Sequence, residues 1–282
     1  MKNFLLVTRN MEVSRDWIDR LKAVIASRGG SLICLENPQD STNPGTIPVP
    51  ENTDGILTLG GDGTMIRAAQ NTLGSGVPLI GINGGHLGYL CDLDPDGVDE
   101  AIDLLMEDRY EIESRMLLAG MVYDAQKKPD QESVALNDVV IVSRRPMEIL
   151  CLTVYVNGQP LYTYHCDGMI FATPTGSTAY NLSAKGPIVD PKTRLILLTP
   201  INPHTLNSRS IVLDPNDIIS VKLTARREGD EPIAEVSFDG NHRRQLVPGE
   251  ELVVYRSREE IKMMKLSKMN FLERIRNKMQ SN

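Results

Sequence analysis

Along the first hundred residues, short apolar runs alternate with segments whose apolar positions recur at helical spacing. Residues 4–7 form the first run. Beyond it Trp17, Ile18, Leu21, Val24 and Ile25 fall at i, i+1, i+4, i+7 and i+8, one face of an amphipathic helix. Gly29 and Gly30 end that helix, and residues 31–35 read as a second strand. The stretch 37–52, rich in Pro, Ser, Thr and Asn, predicts a long loop. Residues 56–59 (strand), 64–73 (helix), 78–82 (strand) and 98–106 (helix) continue the alternation. Strands that alternate with helices predict βαβ units and a parallel sheet.

From about Ser114 the texture changes to strand after strand: 117–123, 138–142, 152–156, 161–164, 169–172, 218–223, 234–238 and 251–255. Asn157-Gly158, between two of these, is the signature of a type I′ hairpin turn. The chain then reverts to helix. Asn270 and Glu273 have capping-box spacing, and Phe271, Leu272, Ile275 and Met279 are assigned to one apolar face. The expected fold class is an α/β N-terminal domain with a parallel sheet, residues 1–115, plus an all-β, antiparallel, sandwich-like domain, residues 116–257. Residues 258–282 are expected to pack back on the first domain, with a site in the crevice between the two.

Composition narrows the function classes. The 282 residues carry a formal charge of −7, with 41% hydrophobic and 24% charged residues, which is ordinary for a globular protein. An acidic balance argues against general nucleic-acid binding, which needs a basic face. No apolar run approaches the roughly 20 residues of a membrane span. The first residues turn charged too soon for a signal-peptide core, so no membrane partner and a cytoplasmic location are expected. Cys34, Cys91, Cys151 and Cys166 are far apart and without CxxC spacing, which suits a reducing compartment and no zinc site. Residues 256–282 hold eight Lys or Arg against three Glu, read as the solvated face of a docked helix.

Candidate chemistry concentrates in three places. In Leu57-Thr58-Leu59-Gly60-Gly61-Asp62-Gly63-Thr64, a strand runs through three glycines into a helix. Such a turn bares backbone N–H groups and the positive end of the helix dipole, a cradle for phosphate, although neither a Walker A motif nor GxGxxG is present. A carboxylate amid phosphate donors makes a poor binder. Asp62 therefore reads as a base on a hydroxyl or as a holder of Mg²⁺, with Arg67 one turn on as a phosphate or ribose contact. A second glycine-rich loop, 81–90 with Asn83, also follows a strand of the parallel sheet, where ligands bind in open α/β folds. The third is 167–181, where Asp167 precedes a strand that ends in Thr173-Pro174-Thr175-Gly176-Ser177-Thr178-Ala179-Tyr180. Hydroxyls and bared amides at a strand end suit a nucleotide's ribose and phosphates, and Tyr180 can stack on a base.

Taken together, Gly60–Thr64, the 83–90 loop, Asn137-Asp138, Asp167 with 173–180, 182–187, Pro203-His204-Thr205-Leu206-Asn207-Ser208-Arg209 and Phe238-Asp239-Gly240 resemble the ATP-NAD kinases over nearly the whole chain. Gly-Gly-Asp-Gly alone is shared with lipid kinases and 6-phosphofructokinases; the Thr-Pro-Thr-Gly-Ser-Thr-Ala-Tyr piece is not. The resemblance implies an NAD kinase/diacylglycerol kinase-like fold and Mg²⁺-dependent transfer of the ATP γ-phosphoryl group to the adenosine ribose 2′-hydroxyl of NAD⁺. It implies Asp62 as the base and Gly60, Gly61, Gly63 and Thr64 as the phosphate loop. Asn137 and Asp138 would hold NAD, with His165 and Asp167 on its nicotinamide side. Thr175, Ser177, Thr178, Ala179, Tyr180, Ser183 and Asn241 would be nucleotide contacts. It further implies a homo-oligomer, dimer or tetramer. Asp138 stands where Glu is commoner, and Lys185 where glycine is frequent. The alternatives are a lipid kinase and a non-catalytic dinucleotide sensor.

Overall fold

The computed structural model describes residues 1–37, 47–83, 88–91, 93, 97–145, 147–205, 208–227, 229–266 and 271–280. They divide into two compact units. The first holds the described residues up to Ser114 together with those from Ile261 on, and the second holds Arg115–Glu260.

The first unit opens with β1 (Asn3–Thr8), α1 (Arg15–Ser27) and β2 (Ser31–Glu36). It continues with β3 (Gly55–Leu59), α2 (Asp62–Asn71), β4 (Leu79–Ile82) and α3 (Val98–Met106). The strands pair in parallel in the order β2-β1-β3-β4. Phe4, Leu6, Leu57 and Ile80 of the sheet pack with Ile18, Leu21 and Ile25 of α1 and Ile102 and Leu105 of α3. β3 is buried along its whole length, so it reads as a continuous apolar run instead of an alternating one. The chain leaves β1 toward β2 on one side and finds β3 on the other. The carboxyl ends of β1 and β3 therefore mark the topological switch point at which ligands of open α/β sheets bind.

The second unit is antiparallel. Its elements are β5 (Glu111–Tyr123), β6 (Ser133–Ala135), β7 (Asp138–Ser143), β8 (Leu150–Val156), β9 (Gln159–Cys166), β10 (Gly168–Ala172), the one-turn α4 (Tyr180–Ser183), β11 (Ile196–Ile201), β12 (Ile211–Leu213), β13 (Ile219–Thr224), β14 (Ala234–Phe238), β15 (Asn241–Leu246) and β16 (Glu251–Lys265). One sheet runs β12-β11-β10-β7-β14-β15, and the ribbon β16-β13-β8-β9 forms another layer. Val139, Phe171, Leu198 and Phe238 of the sheet share a core with Leu152, Val154, Val221 and Leu252 of the ribbon. The opposite face of the sheet (Val140, Ile170, Leu197) is covered by Ala184 and Val189, so these strands too are apolar on both sides. Asn157 (φ 51°) and Gly158 (φ 78°) form the expected tight turn between β8 and β9.

The last helix, α5 (Phe271–Gln280), belongs to the first unit and departs from its expected face. Leu272 is 73% exposed and Arg274 is buried. Residue 274 lies three on from Phe271 and shares its face, whereas 272 is turned about 100° away. Asn270 of the expected capping box and Leu206-Asn207 of the sequence motif lie outside the described residues.

Candidate active site

The glycine loop closes β3 onto α2. Gly60 has φ +149°, and a Cβ there would lie 2.5 Å from Thr64 Oγ1, so glycine lets the buried threonine tuck beneath the turn. The helix starts at Asp62, two residues before the expected point, behind an extended Gly61 that offers no side-chain cap. The α2 N-terminus thus presents the positive dipole end without a side-chain cap from Gly61, while the Thr64 and Met65 N–H groups turn back onto Gly61 O.

Asp62 does not cap this helix. Its Oδ2 accepts the Tyr89 N–H (2.7 Å), and Oδ1 accepts those of Leu90 (3.1 Å) and Cys91 (3.3 Å). A carboxylate offers about four lone-pair sites, and these N–H groups take three of them. Gly88 makes this possible, because a Cβ there would sit 2.0 Å from Asp62 Oδ1. Burial, with Asp62 nearby, pushes the Cys91 thiol up to about 12, so it is no nucleophile. Arg67 is half-buried with its Nε on Gly63 O, and Asn83 is buried at the end of β4, its N–H on Leu93 O. Gly84, Gly85, His86 and Leu87 lie outside the described residues.

In the second unit the organising group is Asp239, which entered the sequence reading only as part of a motif. Its carboxylate accepts the N–H groups of Leu136 (2.7 Å), Asn137 (2.7 Å) and Asp138 (3.0 Å). Its own N–H returns to Asp138 O. The clamped stretch holds the Thr-Pro-Thr-Gly turn in place. Leu136 O accepts Thr173 Oγ1–H at 2.6 Å, Asn137 O accepts the Thr173 N–H at 2.8 Å, and Thr173 Oγ1 accepts the Gly176 N–H. A Cβ on Gly176 would stand 2.1 Å from Asn137 O. Asn137 and Asp138 are therefore held by one carboxylate; Asn241 Nδ2 donates to the backbone carbonyl of Asp239, and Arg115 donates to Thr175 Oγ1. Asp138 is only 5% exposed, and burial with the neighbouring Asp239 charge raises its carboxyl to about 7.

The remaining candidates divide by what holds them. Ser177 is fully buried, and its hydroxyl both donates to Val189 O and accepts the Val189 N–H, which makes it scaffold. Asn181, also buried, ties Ser177 O, Pro187 O and the Thr199 hydroxyl together. Thr178 donates to Thr175 O, Ala179 is half-buried, and Tyr180 and Ser183 are exposed. Asp167 accepts from Asn202 Nδ2 at 2.9 Å and stands 3.7 Å from His204 Nε2. His165 has a buried Nδ1 with no hydrogen-bond partner among the described residues, and its carbonyl accepts the His204 N–H.

The ATP-NAD kinase N-terminal domain profile matches residues 6–110, and the ATP-NAD kinase C-terminal domain profile matches residues 136–266. The chain belongs to the ATP-NAD kinase family. It is 43% identical over 284 residues to the NAD kinase of Agathobacter rectalis, with 99% of each chain covered. The NAD kinase of Lachnospira eligens is 38% identical over 99% of this chain and 100% of its own length. Among solved structures, an NAD kinase from Archaeoglobus fulgidus in complex with ATP superposes with a TM-score of 0.77 at 25% identity, covering 99% of this chain and 97% of that one. Yeast NADH kinase complexed with NADH gives 0.85 at 23% identity, over 100% and 88%, a likeness of fold.

Both family segments thus carry one of the two carboxylate-centred clusters, Asp62 in the first and Asp239 in the second. Among the described residues no group of three or more His, Cys, Asp or Glu converges on a common point. Kinase Mg²⁺ ordinarily takes one or two carboxylates and otherwise substrate phosphates and water. The donor set here, one carboxylate beside a row of amides, fits an ion that enters with the nucleotide.

Proposed function

We propose that the protein transfers the γ-phosphoryl group of ATP to the 2′-hydroxyl of the adenosine ribose of NAD⁺, giving NADP⁺ and ADP, with Asp62 as general base. The observation that carries this reading is Asp62 itself. It is a carboxylate oriented by three backbone N–H groups and placed at the first residue of a helix, the end whose dipole favours an anion.

Gly60, Gly61, Gly63 and Thr64 form the phosphate loop, Gly61 and Gly63 offering backbone N–H groups while those of Gly60 and Thr64 hold the turn on Ile82 O and Gly61 O, with Arg67 one turn further. Asn137 and Asp138 hold the ribose and base of NAD⁺, and His165 and Asp167 its nicotinamide side. Thr175, Thr178, Ala179, Tyr180, Ser183 and Asn241 line the nucleotide. As the ribose oxygen forms its bond to phosphorus and the bond to the departing ADP oxygen lengthens, the hydroxyl proton passes to Asp62. Proton transfer comes late, because the metaphosphate-like transition state asks for little nucleophilic push. Mg²⁺, entering with the nucleotide on its phosphates, would neutralise the triphosphate charge.

The setting that goes with this reading is the cytoplasm. All four cysteines are free, and no helix among the described residues is long and apolar enough to cross a membrane. The protein works as a homo-oligomer, dimer or tetramer. The deciding assay supplies ATP and Mg²⁺ with either NAD⁺ or diacylglycerol and detects NADP⁺ with a coupled dehydrogenase. NADP⁺ formation without lipid phosphorylation is the expected result. Phosphorylated lipid, or NAD⁺ binding without turnover, would overturn the reading.

A further inference from the structure

The C-terminal helix carries a buried cation that the reaction as written above does not use. Arg274 is 7% exposed, and its Nη1 donates to the carbonyls of Tyr89 (3.3 Å) and Cys91 (3.1 Å). This is the stretch whose N–H groups hold Asp62 from the other side.

One peptide unit does both. The Tyr89 carbonyl accepts from Arg274, while the Leu90 N–H, across the same C–N bond, donates to Asp62 Oδ1. In a trans peptide the C=O and N–H point in opposite directions. Guanidinium and carboxylate therefore bond opposite edges of one peptide unit. Donors and acceptors along this chain all run the same way, from Arg274 through the peptide to Asp62, so each hydrogen bond polarises the next. A guanidinium taken out of water is held wherever its N–H groups are satisfied, which fixes the peptide as firmly as the peptide fixes it.

We propose that Arg274 is a positioning residue for phosphoryl transfer: through the Tyr89–Leu90 peptide it sets where the Asp62 carboxylate stands and which lone pair faces the substrate hydroxyl. The inference rests on Asp62 being the base. It predicts that the C-terminal helix completes the catalytic group of the first unit although it touches no substrate.

A four-way comparison of the full-length protein tests it: parent, Arg274→Gln, Asp62→Asn and the double variant, each by kcat and by KM for ATP and NAD⁺. Arg274→Gln is expected to lower kcat by about 10–100-fold, because loss of orientation costs rate before affinity, with both KM values within about threefold. In the Asp62→Asn background the same change should cost less than about threefold more, since residues that act through one another are not additive. A kcat for Arg274→Gln within about twofold of the parent, or a full multiplicative loss in the Asp62→Asn background, overturns the proposal. Arg274→Lys, which keeps the charge and some donors, should recover part of the rate, as a mere helix anchor would not require.

If Arg274→Gln does not fold, amide exchange in the parent decides alone. Strong protection of the Leu90 N–H is expected, and exchange at the unprotected rate removes the relay. A parent without NADP⁺ formation would instead refute the function, so the two failures are distinct.

Discussion

At Asp62 one carboxylate serves both as the proposed base and as the acceptor for three backbone N–H groups. Asp62→Asn puts an NH₂ group where an acceptor oxygen stood, facing donors of the 89–91 stretch. The expected outcome is a kcat loss of about 10²–10⁴ together with faster amide exchange at Tyr89–Cys91. A variant that keeps more than about a tenth of the parent rate would remove Asp62 as base. At Asp138 the prediction concerns pH. Its carboxyl is raised to about 7, first by burial and then by Asp239. The folded protein keeps this proton after the unfolded chain has lost it at about 4, so stability drops as pH rises between the two values and levels off above. Asp138→Asn should therefore gain on the order of 2–4 kcal/mol over the parent at pH 8 and almost nothing at pH 4. Urea unfolding at both pH values checks it, and an equal difference at both would contradict the assigned cause.

At the scale of elements, the first turn of α2 works because the residues around it lack side chains at chosen points. Gly88→Ala would place a Cβ 2.0 Å from Asp62 Oδ1 and must push the carboxylate out of its N–H cradle. The variant is expected to keep its circular dichroism and lose at least about tenfold in kcat, since a small misplacement of a reacting group is costly. Retention of the parent rate would show that the 88–91 stretch does not orient the base. At the end of α4, Lys185 has φ +65°, the left-handed conformation that helix termini reserve for glycine. Lys185→Gly should raise stability by about 0.5–1 kcal/mol by relieving that backbone, read from the midpoint of denaturant unfolding.

For the whole molecule, the proposed homo-oligomer predicts a mass near two or four times the 31.3 kDa chain in light scattering, and a monomer at every concentration would refute it. The parallel β2-β1-β3-β4 sheet and most strands of the second unit were legible in the sequence, because burial on one or both faces imposes apolar periods. Three of the strands that escaped lack that imprint; a fourth, β11 (Ile-Leu-Leu-Thr-Pro-Ile), escaped although it is buried throughout, because its short run does not alternate and carries Pro200. β15 is Asn-His-Arg-Arg-Gln-Leu at a sheet edge, β12 and β6 are three residues each, and edge strands need no apolar alternation. The glycine loop, Asp62 and the Thr-Pro-Thr-Gly turn announced themselves because their chemistry is local: glycines, an acid and hydroxyls in consecutive positions. The group behind the partners of Asp62 did not, for Arg274 reaches the Cys91 and Tyr89 carbonyls from 183 and 185 residues away. Asp239 likewise clamps N–H groups 101–103 residues upstream. By itself the sequence determined the two fold classes and singled out the proposed base, since periodicity and motif are properties of neighbours along the chain. Only the tertiary structure decided what aims that group, because backbone N–H and C=O carry no sequence code and are paired by folding alone.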